Sequence, residues 1–171
     1  MTKILIFCDS LCHRLPVKST SQFQYHIESF PGRTVESVIQ SEQLKDTNSL
    51  SFSLSEDNYD LVIICFGVND LGHGSPISHV VENLLRLHQI CRDFGIPKIV
   101  GMFLNPNHNQ EFNQVYEVSS QHDIEFCEFF FDLKPGDLYS DGLHLNHTGL
   151  SKLAEEISDI AKKTTSTKTR Q

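Results

Sequence analysis

The sequence predicts a three-layer α/β/α sandwich built on a parallel β-sheet. Short apolar runs alternate with segments of helical periodicity, which is the pattern of successive strand and helix units joined by right-handed crossovers. Two of the predicted strands, residues 3–8 and 60–66, are apolar at consecutive positions over residues 4–8 and 61–66, as expected for strands that are buried on both faces. The length of 171 residues fits one domain with a full core, and we assign residues 1–163 to it.

The first half of the chain carries three predicted strands and one helix. Residues 3–8 form the first strand, and residues 22–30, which alternate loosely between apolar and polar, form the second. Thr34 can cap a helix that continues to about residue 44. Residues 46–58 are rich in Ser, Asn and Asp, which predicts a connection. Residues 60–66 form the third strand, whose two apolar faces predict a central place in the sheet.

The second half continues the alternation. A helix is predicted to begin at Ser75-Pro76, because serine is a preferred cap and proline suits the first turn, and to end at Gly95. Residues 98–104 form the fourth strand and residues 124–130 the fifth. Between them, the apolar residues of 112–119 have helical spacing.

The C-terminal part consists of a loop, a helix and a tail. The loop, residues 134–145, is polar and contains glycine. The last helix is predicted from about residue 146 to residue 163. Residues 164–171 have low hydrophobicity and are expected to be disordered. The chain shows no internal repeat and no sign of a second domain.

The composition limits the classes of partner and cofactor. The net charge of -8 leaves no basic patch for nucleic acid or an anionic membrane, and no apolar stretch is long enough to span a bilayer. The N-terminus lacks the pattern of a signal peptide. The five cysteines are odd in number and form no CxxC pair, so we expect reduced thiols in a cytoplasmic protein. The nine histidines show no metal-ligand spacing, so no metal is expected.

Ser10 is a candidate nucleophile because it follows the first predicted strand directly. In open α/β sheets, ligands bind at the carboxyl ends of the strands. At the start of a turn or helix, the backbone N–H of Ser10 could also point at an oxyanion. The pair Asp9-Ser10 could equally be an ordinary helix cap, since both residue types are preferred there.

Three other segments could supply the remaining parts of an acyl-transfer site, which needs a base, an acceptor that orients the base, and oxyanion donors. Asp141 lies three residues before His144, so a single turn can bring the carboxylate and the imidazole into contact. The Asn69 side chain follows the third strand, and the Gly32 N–H lies at the turn after the second. Both could donate to an oxyanion, although these residue types are also common in simple turns.

The four segments together resemble the sequence blocks of the SGNH or GDSL-type hydrolases; the matching blocks are residues 7–11 (FCDSL), 30–34 (FPGRT), 67–70 (GVND) and 141–144 (DGLH). The resemblance covers residues 3–160. It implies a flavodoxin-like sandwich whose five parallel strands have the order 2-1-3-4-5, and it implies no metal or other cofactor. By the same resemblance, Ser10 would be the nucleophile, His144 the base and Asp141 the orienting acid. The Ser10 N–H, the Gly32 N–H and the Asn69 side chain would form the oxyanion hole.

The resemblance predicts a serine esterase that hydrolyses small acyl esters through an acyl-enzyme. The family also includes lipases, thioesterases, carbohydrate deacetylases and acyltransferases, so acyl transfer to an alcohol stays open. A non-catalytic ligand-binding domain on the same fold is a second alternative. A flavin or phosphate binder is a third, which is disfavoured because residues 8–14 lack the glycines of a phosphate-binding loop. Acyl length, alcohol part and oligomeric state cannot be read from the sequence.

One position departs from the family pattern. Cys8 stands where the family usually has glycine, and a side chain there could clash with the turn or narrow the pocket. This departure motivates the non-catalytic alternative. Because Cys8 continues the strand face of Ile4 and Ile6, we expect it to be buried and inert rather than a rival nucleophile. Asp9 and Asp70 are expected to be structural.

Overall fold

The computed structural model of the chain describes residues 1–102, 110–122, 124–125 and 133–168, apart from the side chains of residues 111, 112 and 166–168. It contains a parallel sheet flanked by helices, which confirms the predicted fold class. The described strands are β1 (Thr2–Cys8), β2 (Phe23–Ser29), β3 (Leu61–Cys65) and β4 (Lys98–Met102). They are all parallel and have the order β2-β1-β3-β4, which is the predicted order for these four.

The predicted fifth strand lies mostly outside the described residues, because residue 123 and residues 126–130 are among those not described. One contact bears on it: the backbone N–H of Gly101 in β4 donates to the Glu125 carbonyl at 2.7 Å. The chain therefore runs beside β4 where the fifth strand was predicted to begin. The strand itself stays a prediction.

The strand β1 occupies the interior of the sheet. Its residues from Ile4 to Cys8 are fully buried, and because successive side chains point to opposite faces, both faces of the strand are covered. The described helices are α1 (Val35–Leu44), α2 (Leu50–Glu56), α3 (Val68–Gly72), α4 (Ile77–Asp93), α5 (Gln110–Ser120) and α6 (His147–Lys168). Helices α1, α2, α4 and α5 contact one another in one layer, and α6 packs against β1.

Helix α2 corrects the prediction of a connection over residues 46–58. Ser49 caps this helix by accepting a hydrogen bond from the Phe52 N–H at 3.1 Å. Leu50 and Leu54, four residues apart, are buried on one face. Because serines lie between these leucines, the segment has the composition of a loop, and the short apolar stripe of the helix was not recognised. Helix α3, which directly follows β3, was also not predicted.

The sequence predicted capping residues at the ends of α1 and α4, and the structure agrees with some of them. Thr34 caps α1 as predicted, since its side chain accepts from the Ser37 N–H at 3.1 Å. Ser75 does not cap α4: the helix begins at Ile77, no side chain caps it, and the Ser75 N–H donates to the Asp70 carbonyl instead. Gly95 ends α4 with a φ of +72°, a conformation that glycine adopts without strain.

Helix α6 continues to Lys168, beyond the predicted end at residue 163. Residues 164–168, predicted to be part of a disordered tail, are therefore helical, and residues 169–171 lie outside the described part of the chain. Thr164 extends the buried face of Ile157 and Ile160, and its hydroxyl donates to the Ile160 carbonyl at 2.9 Å. This internal hydrogen bond lets a polar residue lie on the buried face of a helix. None of the described helices combines the length and hydropathy needed to cross a membrane.

The loop before α6 is a small hairpin that is fastened to that helix. Leu138 and Leu145 form an antiparallel bridge, and the Tyr139 N–H donates to the His144 carbonyl at 2.8 Å. The Asn146 side-chain amide donates to the carbonyls of Gly136 and Leu138, while its oxygen accepts from the first turn of α6. A single side chain thus ties both ends of the hairpin to the helix.

Gly149 lets the first turn of α6 approach the base of this hairpin. A Cβ atom at this position would lie 2.3 Å from the Asp137 carbonyl oxygen, a distance that nonbonded atoms do not reach. The Asp137 carbonyl is held in place because it accepts from the Asn146 N–H at 2.9 Å. The Asp137 side chain is buried and accepts from the Lys134 N–H and the Lys152 ammonium group. The backbone at residue 137 therefore cannot easily move away to make room for a side chain at position 149.

Asp9 follows β1 and is a fully buried carboxyl group. One of its oxygens accepts from the Leu11 N–H at 2.9 Å, and the other has no hydrogen-bond partner within the described part of the chain. Burial is the main cause of a raised pKa of Asp9, which moves from the ordinary 3.8 to about 7; the hydrogen bond from the Leu11 N–H opposes this rise, and the negative charge of nearby Asp70 adds to it. The folded protein therefore holds this proton more tightly than the unfolded chain does.

We predict that Asp9→Asn becomes more stabilising, relative to the parent protein, as the pH rises. The contribution of the Asp9 proton to stability is fully present below about pH 3.8 and is lost as the pH rises to about 7. Asparagine carries no such charge, so the difference in free energy of unfolding should grow by about 3 kcal/mol between about pH 5 and about pH 8. Urea unfolding of both proteins at each pH measures this, and the comparison cancels the titration of unchanged groups. A constant difference across the range would contradict the buried, neutral carboxyl group.

We predict that Gly149→Ala lowers the free energy of unfolding by about 1–3 kcal/mol, because the added methyl group forces α6 away from the Asp137 carbonyl. Gly136→Ala is the matched control, since a Cβ atom at residue 136 meets no atom within 4 Å. Chemical denaturation of the two variants measures the effect. Equal stability of Gly149→Ala and the control would show that the hairpin and helix separate freely.

Candidate active site

The turn after β1 presents Ser10 at the carboxyl edge of the sheet. Residues Ser10–Cys12 form one turn of 3-10 helix, and Asp9 is its cap through the hydrogen bond from the Leu11 N–H. Asp9 and Ser10 therefore have the capping geometry that the sequence allowed, but the Ser10 side chain stays half-buried and reaches away from this cap. A short turn directly after a buried strand gives the hydroxyl group a rigid base.

The Ser10 hydroxyl oxygen lies 3.1 Å from Nε2 of His144. The two residues are 134 positions apart, and the contact joins the end of β1 to the hairpin before α6. Nε2 can accept the hydroxyl proton only when the neutral imidazole carries its proton on Nδ1. The state of Nδ1 therefore decides what this contact can do.

Asp141 binds the opposite side of the His144 ring. One carboxylate oxygen lies 2.8 Å from Nδ1, and the other accepts from the backbone N–H groups of Leu143 and His144 at 2.9 and 3.0 Å. The Leu143 N–H makes the largest contribution, followed by the His144 side chain, to a pKa of about 2 for Asp141. The ionised carboxylate can only accept, so the proton of the neutral ring lies on Nδ1 and Nε2 is left free to accept.

Gly32 lies in a tight turn that follows β2. The Arg33 N–H donates to the Phe30 carbonyl at 3.2 Å, Pro31 occupies the second position of the turn, and Gly32 has a φ of +78°. These are the features of a type II turn, in which glycine is preferred at the third position. Among the described residues, no acceptor engages the Gly32 N–H, and the same holds for the Ser10 N–H.

Asn69 lies in the first turn of α3, which follows β3 at the same edge of the sheet as Ser10. Its side-chain amide donates one hydrogen bond to the Arg33 carbonyl at 2.9 Å, which draws it to the turn that contains Gly32. An amide group has two N–H donors, so one remains for another acceptor. Next to it, Asp70 accepts from the Val35 N–H at 2.8 Å and so ties α3 to the start of α1. This contact supports the structural role expected for Asp70.

Arg33 is a supporting residue that the sequence analysis missed. Its guanidinium group donates to the backbone carbonyls of Ser37 and Asn48 and to the hydroxyl groups of Ser37 and Ser41, and it lies 5.3 Å from the centre of the Phe30 ring. These contacts fasten the turn after β2 to α1. An arginine after Pro-Gly gave no sequence signal for these contacts, because they form only once α1 and the turn before it have folded.

The departure at Cys8 is accommodated in the core. Cys8 is fully buried, and its thiol donates to the Glu28 carbonyl at 3.5 Å. Hydrogen bonding with Cys12 and burial raise the pKa of the Cys8 thiol well above its usual range. The thiol therefore stays protonated, as predicted for a buried and inert cysteine.

Two further histidines, His73 and His147, lie close in sequence to Asn69 and His144. His73, after α3, and His147, at the start of α6, are both exposed. In residues 1–102, 110–122, 124–125 and 133–168, no group of three or more His, Cys, Asp or Glu side chains could hold a metal ion.

Comparison with known proteins relates this site to one family. The sequence matches the family described as GDSL-like lipase/acylhydrolase over residues 7–151, which include all four of the blocks identified above. No curated protein matches the chain.

The fold is similar to that of several solved structures. TesA is 22% identical, with 95% of this chain and 99% of that chain covered and a TM-score of 0.72. The psychrotrophic esterase EstA from Pseudoalteromonas sp., in a structure inhibited by monoethylphosphonate, is 19% identical, with 95% and 98% covered and a TM-score of 0.69. A carbohydrate esterase family 3 protein from Talaromyces cellulolyticus is 13% identical, with 97% and 99% covered and a TM-score of 0.71.

At these identities the solved structures establish the fold, whereas the sequence match over most of the chain establishes the family. The chain belongs to the GDSL-like lipase/acylhydrolase family and is a carboxylic ester hydrolase of the SGNH/GDSL type.

Proposed function

We propose that the chain is a serine esterase that hydrolyses small carboxylic esters, with Ser10 as nucleophile, His144 as general base and Asp141 as the acid that orients the base. The observation that carries this proposal is the 3.1 Å distance between the Ser10 hydroxyl oxygen and Nε2 of His144. The hydrogen bond from Nδ1 to an ionised Asp141 supports it, because it leaves Nε2 in the state that accepts a proton.

The proposed reaction has two steps. The Ser10 oxygen attacks the ester carbonyl carbon as its proton passes to Nε2 of His144, and the alcohol then leaves with that proton. The acyl group stays bonded to the Ser10 oxygen. A water molecule, deprotonated by Nε2, attacks the acyl carbon and releases the carboxylic acid and the free serine. Asp141 stabilises the imidazolium ion that forms in each step.

The proposed oxyanion hole consists of the Ser10 N–H, the Gly32 N–H and the Asn69 side-chain amide. Three observations support this assignment. The two backbone groups have no acceptor among the described residues, the Asn69 amide keeps one unused N–H, and the Arg33 carbonyl holds that amide beside the Gly32 turn. Donors held in position before the reaction stabilise a developing negative charge without reorganisation.

The exposure of the site supports a small substrate. The His144 and Asp141 side chains are 41% and 49% exposed, so the site opens at the surface. We therefore propose a short or medium acyl group, bound without a nucleic-acid or membrane partner. The four cysteines in the described part of the chain are buried and form no disulfide bond, which supports a cytoplasmic setting. The burial of Cys8 in the core supports a catalytic site over the non-catalytic alternative, because the side chain is accommodated away from Ser10 and His144.

We predict that Ser10→Ala loses at least about a thousandfold in kcat for p-nitrophenyl acetate, because no nucleophile remains to form the acyl-enzyme. A fluorophosphonate probe should label the parent protein at Ser10, since attack by the serine oxygen expels fluoride, and it should leave the variant unlabelled. Intact-protein and peptide mass spectrometry measure the labelling. Parent-like hydrolysis by Ser10→Ala, or a folded parent protein that resists the probe, would overturn the proposal.

We predict that Asp141→Asn lowers kcat by about a hundredfold to ten-thousandfold. The asparagine oxygen can still accept from the Leu143 and His144 N–H groups, so the loop keeps its shape. Its NH₂ group, however, donates to Nδ1, which places the ring proton on Nε2 and blocks acceptance from Ser10.

The matched control for that variant is Asp159→Asn, which removes an exposed carboxylate that pairs with Lys162 in α6. Steady-state kinetics of the control should equal those of the parent protein. An Asp141→Asn protein with the kcat of this control would show that Asp141 has no part in orienting the base.

A further inference from the structure

Ser29, the last residue of β2, makes a contact at the candidate site that the proposed function leaves unused. Its hydroxyl group donates to the backbone carbonyl of Asp9 at 3.1 Å. In the pairing of the two strands, Ser29 lies opposite Cys8, so its side chain reaches one residue past the end of β1. The hydroxyl oxygen also lies 3.5 Å from Nδ1 of His13, which is at the outer limit for a hydrogen bond.

The backbone pairing of β1 with β2 ends just before this contact. The last backbone hydrogen bond between them runs from the Phe30 N–H to the Cys8 carbonyl at 2.8 Å. Asp9 has a ψ of −156°, whereas residues in parallel strands have ψ near about +115°. The peptide group between Asp9 and Ser10 is therefore rotated relative to the orientation that a peptide group has in a parallel strand. Pairing with β2 offers no further backbone donor to this rotated carbonyl, and the hydroxyl group of Ser29 donates to it instead.

The same peptide group carries the Ser10 N–H. In a trans peptide the C=O and N–H bonds point in opposite directions within one plane, so a bond that holds the carbonyl also sets the direction of the N–H. The other contacts of Asp9 do not hold this peptide: its N–H donates to the Cys65 carbonyl, and its side chain accepts from the Leu11 N–H. Ser29 is the side-chain donor that reaches the Asp9 carbonyl from the neighbouring strand.

We propose that Ser29 is a positioning residue that aims the Ser10 N–H at the oxyanion. This inference rests on the proposed role of the Ser10 N–H as an oxyanion donor. Ser29 does not touch the reacting atoms; it fixes the peptide plane in the free enzyme, so the donor does not have to rotate when charge develops on the substrate oxygen. Loss of the Ser29 hydroxyl allows the peptide to rotate and weakens one of three donors.

The test compares Ser29→Thr with Ser29→Val, which have nearly the same shape and differ in the hydroxyl group. Ser29→Ala is a third variant that adds no bulk at the half-buried strand end. With p-nitrophenyl acetate, Ser29→Thr should keep the parent kcat within about threefold. Ser29→Val and Ser29→Ala should lose about tenfold in kcat with an unchanged KM, less than the roughly hundredfold or greater loss when an oxyanion donor is removed outright.

A second readout is the rate at which the fluorophosphonate probe labels Ser10, because the phosphoryl oxygen of the adduct uses the same donors. That rate should fall in Ser29→Val and Ser29→Ala and stay near the parent value in Ser29→Thr. Thermal unfolding of each variant confirms that it is folded at the assay temperature. Because a partly unfolded protein would also lower the apparent kcat without changing KM, each kcat is calculated per active site, counted by labelling with the probe to completion.

The outcomes separate this inference from the proposed function. Parent-like kcat in Ser29→Ala or Ser29→Val, or a Ser29→Thr protein as slow as Ser29→Val, overturns the role of the Ser29 hydroxyl while the esterase proposal stands. A parent protein that neither hydrolyses the ester nor reacts with the probe at Ser10 overturns the esterase proposal itself.

Discussion

The parallel pairing of β1 with both of its neighbours is the constraint on which the site depends. Cys8 lies opposite Ser29 on one side and opposite Cys65 on the other, so three strands end at the same level. Because the strands are parallel, the segments that follow them emerge at one edge of the sheet. The turn after β1 carries Ser10, the turn after β2 carries Gly32, and the helix after β3 carries Asn69. The burial of β1 on both faces holds this register, since a slip of one residue would move each fully buried side chain into a close-packed space shaped for another one.

The base reaches this edge from a different part of the fold. His144 and Asp141 lie on a hairpin whose ends are tied to the first turn of α6 by Asn146. The packing of α6 against β1 therefore carries the hairpin to the end of that strand, where His144 meets Ser10. The distance between the hydroxyl oxygen and Nε2 depends on how closely α6 approaches the loop, which is why a glycine at position 149 matters to the site and not only to the helix.

Two carboxyl groups near Ser10 are held in opposite protonation states by their surroundings. Asp9 is fully buried with one oxygen unpaired, and its pKa is raised to about 7, whereas Asp141 is exposed, accepts from two backbone N–H groups and the His144 ring, and has a pKa of about 2. The carboxylate that faces the imidazole ring is therefore charged, and the one beneath the serine is largely neutral below about pH 7. A neutral Asp9 adds no negative charge where the reaction would build an oxyanion, so burial beneath the nucleophile suits the proposed chemistry.

The sequence alone determined the α/β class, the four described strands and the candidate residues for the site. These features depend on local patterns: apolar runs that end in polar residues, and an acid three positions before a histidine. Only the tertiary structure showed that Ser10 and His144 are in contact, because their 134-residue separation is closed by the packing of α6 on β1. The structure also showed that Cys8 is buried, that residues 50–56 form a helix, and which groups Arg33 and Ser29 contact. The contacts of Cys8 and Ser29 join segments that are 20 residues apart, and such partners leave no local pattern to read. The helix over residues 50–56 and the contacts of Arg33 with α1 are more local, but serine-rich segments do not reveal them by composition.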